Sequence, residues 1–143
     1  MLVRLMYASR AGESVNQDTL AAILRKSKER NPAEGITGVL CFCANAQVFL
    51  QVLEGSRDAV SRLYHRIARD ERHHDVVLLS YDEIGERHFS SWSMGQVNMS
   101  RLNPALLLKY SETATLDPYA VSGKASLDLL NELVATASVT APV

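Results

Sequence analysis

The chain has no excess of either charge, only two cysteines and no long apolar run, and each shortage removes a class of protein. Fifteen Lys+Arg stand against sixteen Asp+Glu, a net charge of -1. That leaves no electrostatic drive toward a phosphate backbone, and no nucleic-acid partner is expected. Cys41 and Cys43 lie two apart on a predicted strand, so they share a face and are too local to staple a fold. A reducing, cytoplasmic location is the simpler expectation. No apolar stretch approaches the roughly 18 residues of a membrane span, and the first nine residues lack a cationic leader with an apolar core. A soluble, unprocessed protein without a membrane partner is expected. No repeat or low-complexity segment is present.

What is there fits one compact domain: 143 residues, 47% of them hydrophobic. Leu2 to Ser9 is apolar on both faces, as a central strand would be. Leu20, Ile23 and Leu24 recur at helical spacing within a segment from about Asn16 to Arg30, which Asn31-Pro32 should end. Gly35 to Cys43 and Gln47 to Glu54 read as a hairpin around "ANA". Gly55-Ser56 caps a second helix with an inward stripe of Val60, Leu63, Tyr64 and Ile67. Val76 to Tyr81 reads as a fourth strand and Trp92 to Val97 as a short fifth. The order βαββαββ predicts an α+β fold, a ferredoxin-like sandwich with a mostly antiparallel five-stranded sheet and two helices on one face. Residues 1–97 form that unit. Residues 98–143 form a C-terminal extension, in which "PALLLKY" and "KASLDLLNELVATA" are expected to be helices covering the other face. The second of these should bury Leu127, Leu130, Leu133, Val134 and Ala137 and leave Leu129 off the stripe.

Several polar residues fall where apolar ones would pack better. The stripe of the first helix, extended by its own spacing, lands on Ser27 and Asn31. In the first strand Tyr7 shares a face with Val3 and Leu5, and in "VFLQVLEG" Gln51 shares a face with Phe49 and Leu53. Each has an ordinary explanation when taken alone: a tyrosine at the rim of the core, a helix-terminal Asn before proline. Gln51 is harder to dismiss, because burying an amide without partners costs about 1–3 kcal/mol. A phenol, a hydroxyl and two amides converging in an apolar cleft is how a flat, hydrogen-bonding ligand is held.

The segments "RLMYAS", "RKSKERNPAEGITGVL", "FLQVLEG", "IARDERHHDVV" and "RHFSSWSMG" resemble, in order and spacing, the BLUF family of blue-light sensors, over residues 4 to 95. The resemblance implies a noncovalent flavin, FAD, with FMN or riboflavin as alternatives. It implies that Tyr7 is the light-driven electron and proton donor and that Gln51 bridges its hydroxyl to the flavin. Asn31 would hold the flavin's carbonyl and N3 edge with Ser27 close by, and Arg72 and His73 would border the pyrimidine end of the ring. Trp92 and Met94, two apart on the last strand and so on one face, would report the state of Gln51 to the outside. The chain departs from the family pattern at Arg30, where many members carry a second Asn, and in a hairpin about two residues longer.

A short stand-alone photoreceptor, not an enzyme, is therefore expected. It would signal to an unidentified downstream signalling protein, with self-association as a homo-oligomer in keeping with the family. The main alternative is a non-photoactive regulatory or interaction module on the same fold. An acylphosphatase-like enzyme using Arg10 is disfavoured, because that family's glycine-rich loop is absent. Cys41, Cys43, His73 and His74 supply metal-ligand types without an established spacing, so no metal is expected. Arg57, Arg62, Arg66 and Arg69 read as a solvated helix face.

Overall fold

The computed structural model describes residues 1–99 and 102–136, and the backbone of 139 and 140. Its elements are β1 (Leu2–Ala11), α1 (Gln17–Glu34), β2 (Thr37–Cys43), β3 (Val48–Ser56), α2 (Arg57–Ala68), β4 (His73–Ile84), β5 (Gly95–Val97), α3 (Pro104–Tyr110), α4 (Gly123–Ala135) and β6 (Val139–Thr140). The sheet runs β4-β1-β3-β2-β5-β6. Every pairing is antiparallel except β2 with β5. This is the expected ferredoxin-like arrangement, with the two-residue β6 added beyond β5.

Strand periodicity divides the sheet's side chains between two cores. Val3, Leu5, Tyr7, Leu40, Phe49 and Leu53 point toward Leu20 and Leu24 of α1 and Val60 of α2. Met6, Val39, Cys41, Leu50 and Val52 point the other way, into a cluster with Leu107 of α3 and Leu129, Leu130 and Leu133 of α4. The C-terminal helices thus cover the face that α1 and α2 leave open, as expected.

Three element boundaries and the buried stripe of α4 differ from those read in the sequence. Helix α1 does not stop at Asn31-Pro32 but continues through Pro32 to Glu34, where Gly35 caps it in the left-handed region at φ 69. Proline's fixed φ is itself helical, so Pro32 removes one N–H donor near the end of an eighteen-residue helix without breaking it. Strand β4 spans twelve residues, not six, and pairs with β1 along its length through two register shifts, with Asp75 at φ 52. Strand β5 is only Gly95–Val97, so Trp92 and Met94 precede it. Finally, Leu129 is buried. The stripe of α4 is Ser126, Leu129, Leu130 and Leu133, the i, i+3, i+4, i+7 set, while Leu127 and Val134 are only partly covered. Ala137 lies outside the described residues.

The C-terminal layer is tied to β4 at two points. The hydroxyl of Tyr119 donates to the carbonyl of Asp75 at 2.7 Å, under the guanidinium of Arg10, which sits 4.2 Å from the ring centroid. At Gly123 the start of α4 approaches so closely that a Cβ would lie 2.4 Å from the carbonyl oxygen of Leu79.

Candidate functional site

Between α1, α2 and the sheet lies a cleft of about 310 Å3, at the lower end of the size range of small-ligand sites. Cross-strand register builds its floor: Gln51 of β3 stands directly opposite Tyr7 of β1 on one side and Leu40 of β2 on the other. The phenolic O–H of Tyr7 donates to Oε1 of Gln51. The same amide donates from Nε2 to the sulfur of Met94 at 3.3 Å. Gln51 therefore has one partner for its acceptor and another for its donor, which is how a buried amide escapes its desolvation cost. Burial first, then the nearby Tyr64 and Asp70, raise the pKa of Tyr7. Its proton is thus held in place in the resting protein.

Asn31 is fully buried on the last turn of α1, not exposed as a cap, and its Nδ2 donates to the carbonyl of Ser93 at 2.5 Å. Ser27 also lines the cleft, but its hydroxyl donates to the carbonyl of Ile23 in its own helix. Arg72 and His73 line the cleft as well. The His73 ring is pinned at both nitrogens, with Nε2 2.5 Å from the carbonyl of Ile67 and Nδ1 2.8 Å from the hydroxyl of Ser9. Because a carbonyl can only accept, Nε2 carries a proton. Arg72 forks onto Asp70, and this hydrogen bonding holds the Asp70 carboxyl down at about 2.

All six residues expected to hold the cofactor line one cleft, and Met94 joins them. Trp92 does not. It packs with the opposite core, while Met94 is buried on the cleft side. The expectation of one shared face fails because these residues precede β5, where strand alternation does not apply. Their backbone is fixed instead by the Gly38 amide, which donates to the carbonyl of Trp92 at 3.1 Å. Cys41 and Cys43 belong to the core beneath the C-terminal helices, on the other side of the sheet from His73. Burial pushes the Cys41 thiol up to about 12.

Sequence reasoning missed Asp70 and Lys26 as cleft residues, and it named Arg30 only as a departure from the family pattern and Arg66 only as part of a solvated helix face; Lys26, Arg30 and Arg66 stand at the cleft's exposed margin. Lys26 and Arg30 are four apart on α1, so they lie on one side of that helix, facing Arg66 of α2. That spacing was the available signal. The result is an apolar, amide-floored slot with a cationic rim, a donor set suited to a flat heterocycle bearing an anionic tail.

Comparison with known proteins agrees with this chemistry. Residues 2–95 match the family model for BLUF, sensors of blue-light using FAD. Among curated relatives, photoactivated adenylate cyclase subunit beta of Euglena gracilis is 38% identical over 94 residues, 65% of this chain and 11% of that protein. The alpha subunit is 39% identical over 90 residues, 63% of this chain and 9% of that protein. The chain thus spans only about a tenth of these relatives. Among solved structures, BlsA in its photo-activated state superimposes with a TM-score of 0.80 at 34% identity, covering 94% of this chain and 95% of that one. BlrB, a BLUF protein in its dark state, gives 0.78 at 29% identity, covering 95% and 96%. An amide-floored slot, the ferredoxin-like sheet that builds it and a family match across both lead to one conclusion: the chain belongs to the BLUF family of blue-light sensors that use FAD.

Proposed function

We propose that this flavin-binding blue-light sensor works by switching the amide of Gln51 between two hydrogen-bonded arrangements. The observation that carries the reading is the chain Tyr7 to Gln51 to Met94, in which one amide serves an O–H donor and a sulfur acceptor at once. The isoalloxazine would lie against Gln51 and Asn31, with Arg72 and His73 at its far end and Ser27 beside it. Lys26, Arg30 and Arg66 would take the phosphates, so FAD and FMN suit the rim better than uncharged riboflavin.

Bound there, the flavin supplies light absorption and, once excited, oxidising power. Tyr7 is the side chain placed to give up an electron, and its phenolic proton leaves along the hydrogen bond to Gln51. An amide carries its acceptor and its donor on one carbon, so rotation or tautomerisation exchanges what each neighbour receives. When the electron and proton return to Tyr7, Gln51 is left in the other arrangement, and the net chemistry is nil. In that arrangement Gln51 would give the bound cofactor a stronger hydrogen bond, which would shift its absorption to the red. Light therefore changes the population of a bistable side chain.

Residues 1–97 are read as the photosensory unit and 98–143 as the output extension. Met94 touches Gln51, and Trp92 packs into the core on the opposite face of the sheet, to which α3 and α4 also contribute; this supports a relay running from one face to the other through residues 92–94. The receiver is proposed to be a separate downstream signalling protein in the cytoplasm, with self-association of the sensor as a further route. The adenylate cyclase relatives support a sensor that works with an effector. Among the described residues no helix is long and apolar enough to cross a membrane.

Absorption spectra of Tyr7→Phe and Gln51→Leu before and after blue light test the reading. Each variant should bind flavin and lose the reversible red shift. A full photocycle in either one removes that residue from the mechanism.

A further inference from the structure

Glu54 is completely buried, yet it takes no part in the cleft. It lies three residues beyond Gln51 on β3 and faces the opposite core. Its carboxylate is saturated: Nε and Nη2 of Arg4 reach Oε2 at 3.0 and 2.9 Å, the Thr37 hydroxyl donates to Oε1 at 3.3 Å, and the backbone amides of His88 and Phe89 donate to Oε2 and Oε1 at 2.9 and 2.8 Å. Two consecutive amides forked onto one carboxylate fix a backbone as firmly as a strand pairing would. Arg87, next to them, adds bonds to the Thr37 hydroxyl at 3.0 Å and to the carbonyl of Glu54 at 3.5 Å.

What is fixed here is the irregular segment between β4 and β5, which has no ladder of its own. From Phe89 it proceeds through Trp92, whose amide donates to the carbonyl of Phe89 at 3.2 Å, to Ser93 on Asn31 and Met94 on Gln51. A single strand thus carries the switching amide and, three residues on, the anchor of the segment that brings the sulfur to that amide.

We propose that Glu54 is a positioning residue of the photoswitch, holding residues 87–89 so that Met94 stays within reach of Gln51. This rests on the reading of Gln51 as the switch. A merely structural carboxylate would affect stability alone. A positioning one acts on the photocycle through Met94.

The test uses the full chain with FAD bound, labelled with 13C at the methionine methyls, with the Met94 resonance assigned by Met94→Leu. In the dark, Glu54→Gln should shift or broaden the Met94 methyl signal. After blue light it should change the rate of dark recovery by about threefold or more, the scale of one hydrogen bond. In the Met94→Leu background the same substitution should leave recovery unchanged, the non-additivity expected of residues acting in series. Glu54→Gln strands the charge of Arg4, so the neutralised pair Arg4→Met/Glu54→Gln is made alongside it and read the same way. An unmoved Met94 signal in either folded variant, or recovery factors that multiply in the Met94→Leu background, overturns the proposal. The dark methyl spectrum needs no photocycle. Loss of the red shift in the parent protein would count against the Gln51 reading while leaving Glu54 to be decided by that signal.

Discussion

Asn31 shows how one side chain can serve both the fold and the site. It is buried on the last turn of α1 and joins that helix to the segment carrying Met94 through the carbonyl of Ser93. Its replacement by alanine should weaken flavin binding by the equivalent of one neutral hydrogen bond, about 0.5–1.5 kcal/mol, seen in a flavin titration; unchanged affinity would return Asn31 to a purely structural role. Asp70 makes one pH-dependent contribution to stability. Hydrogen bonding from Arg72 lowers its carboxyl from the ordinary value of 3.8 to about 2 in the folded protein. A depressed folded-state pKa stabilises the native protein at pH above the unfolded value and is lost as pH falls through the folded one. Stability should therefore decline between about pH 4 and pH 2 through this group, and Asp70→Asn should flatten that part of the denaturation profile. Tyr7 and Gln51 were legible in the sequence because polar residues on an inward parity must find partners. Glu54 was not, since a carboxylate at the end of a strand is ordinarily solvated. Its partners come from positions 4, 37, 88 and 89, a long-range convergence that no local pattern announces.

Among elements, those with strong periodicity were legible and the irregular ones were not. The helices and strands of the sandwich follow from alternation and from the 3.6-residue stripe. The segment "SSWSMG" has neither, so assigning it strand parity put Trp92 on the wrong face. Helix α4 is intermediate: five apolar residues crowd about two turns, and only packing against the sheet decides which of them form the stripe. Burial of Leu129 beside Leu133 predicts that Leu129→Ala costs about 2–5 kcal/mol, while the half-covered Leu127 costs less when truncated the same way. Urea denaturation of the two variants checks the order; equal losses would mean that the stripe is centred elsewhere.

At the scale of the whole molecule, the sheet stands between the cleft and the layer formed by α3 and α4. Packed elements move between discrete arrangements more readily than they deform. A changed donor pattern at Gln51 should therefore reach α3 and α4 as a shift in their docking. Met94→Ala is expected to keep the spectral shift while reducing light-dependent changes in hydrogen exchange across residues 104 to 136. If light alters exchange there equally in both proteins, or in neither, the signal leaves by another route.

The irregular outer strand β4 bears on how the molecule behaves in a crowd of its own kind. A long sheet edge with Val77, Leu78 and Tyr81 exposed is a template on which a foreign strand could grow, the first step toward fibrils. Its two register shifts and the left-handed backbone at Asp75 break that template into short pieces, and the Tyr119 hydroxyl occupies one of its carbonyls. The same irregularities that fit β4 to β1 thus protect the sensor from templated aggregation, so an apolar edge is kept without becoming a seed.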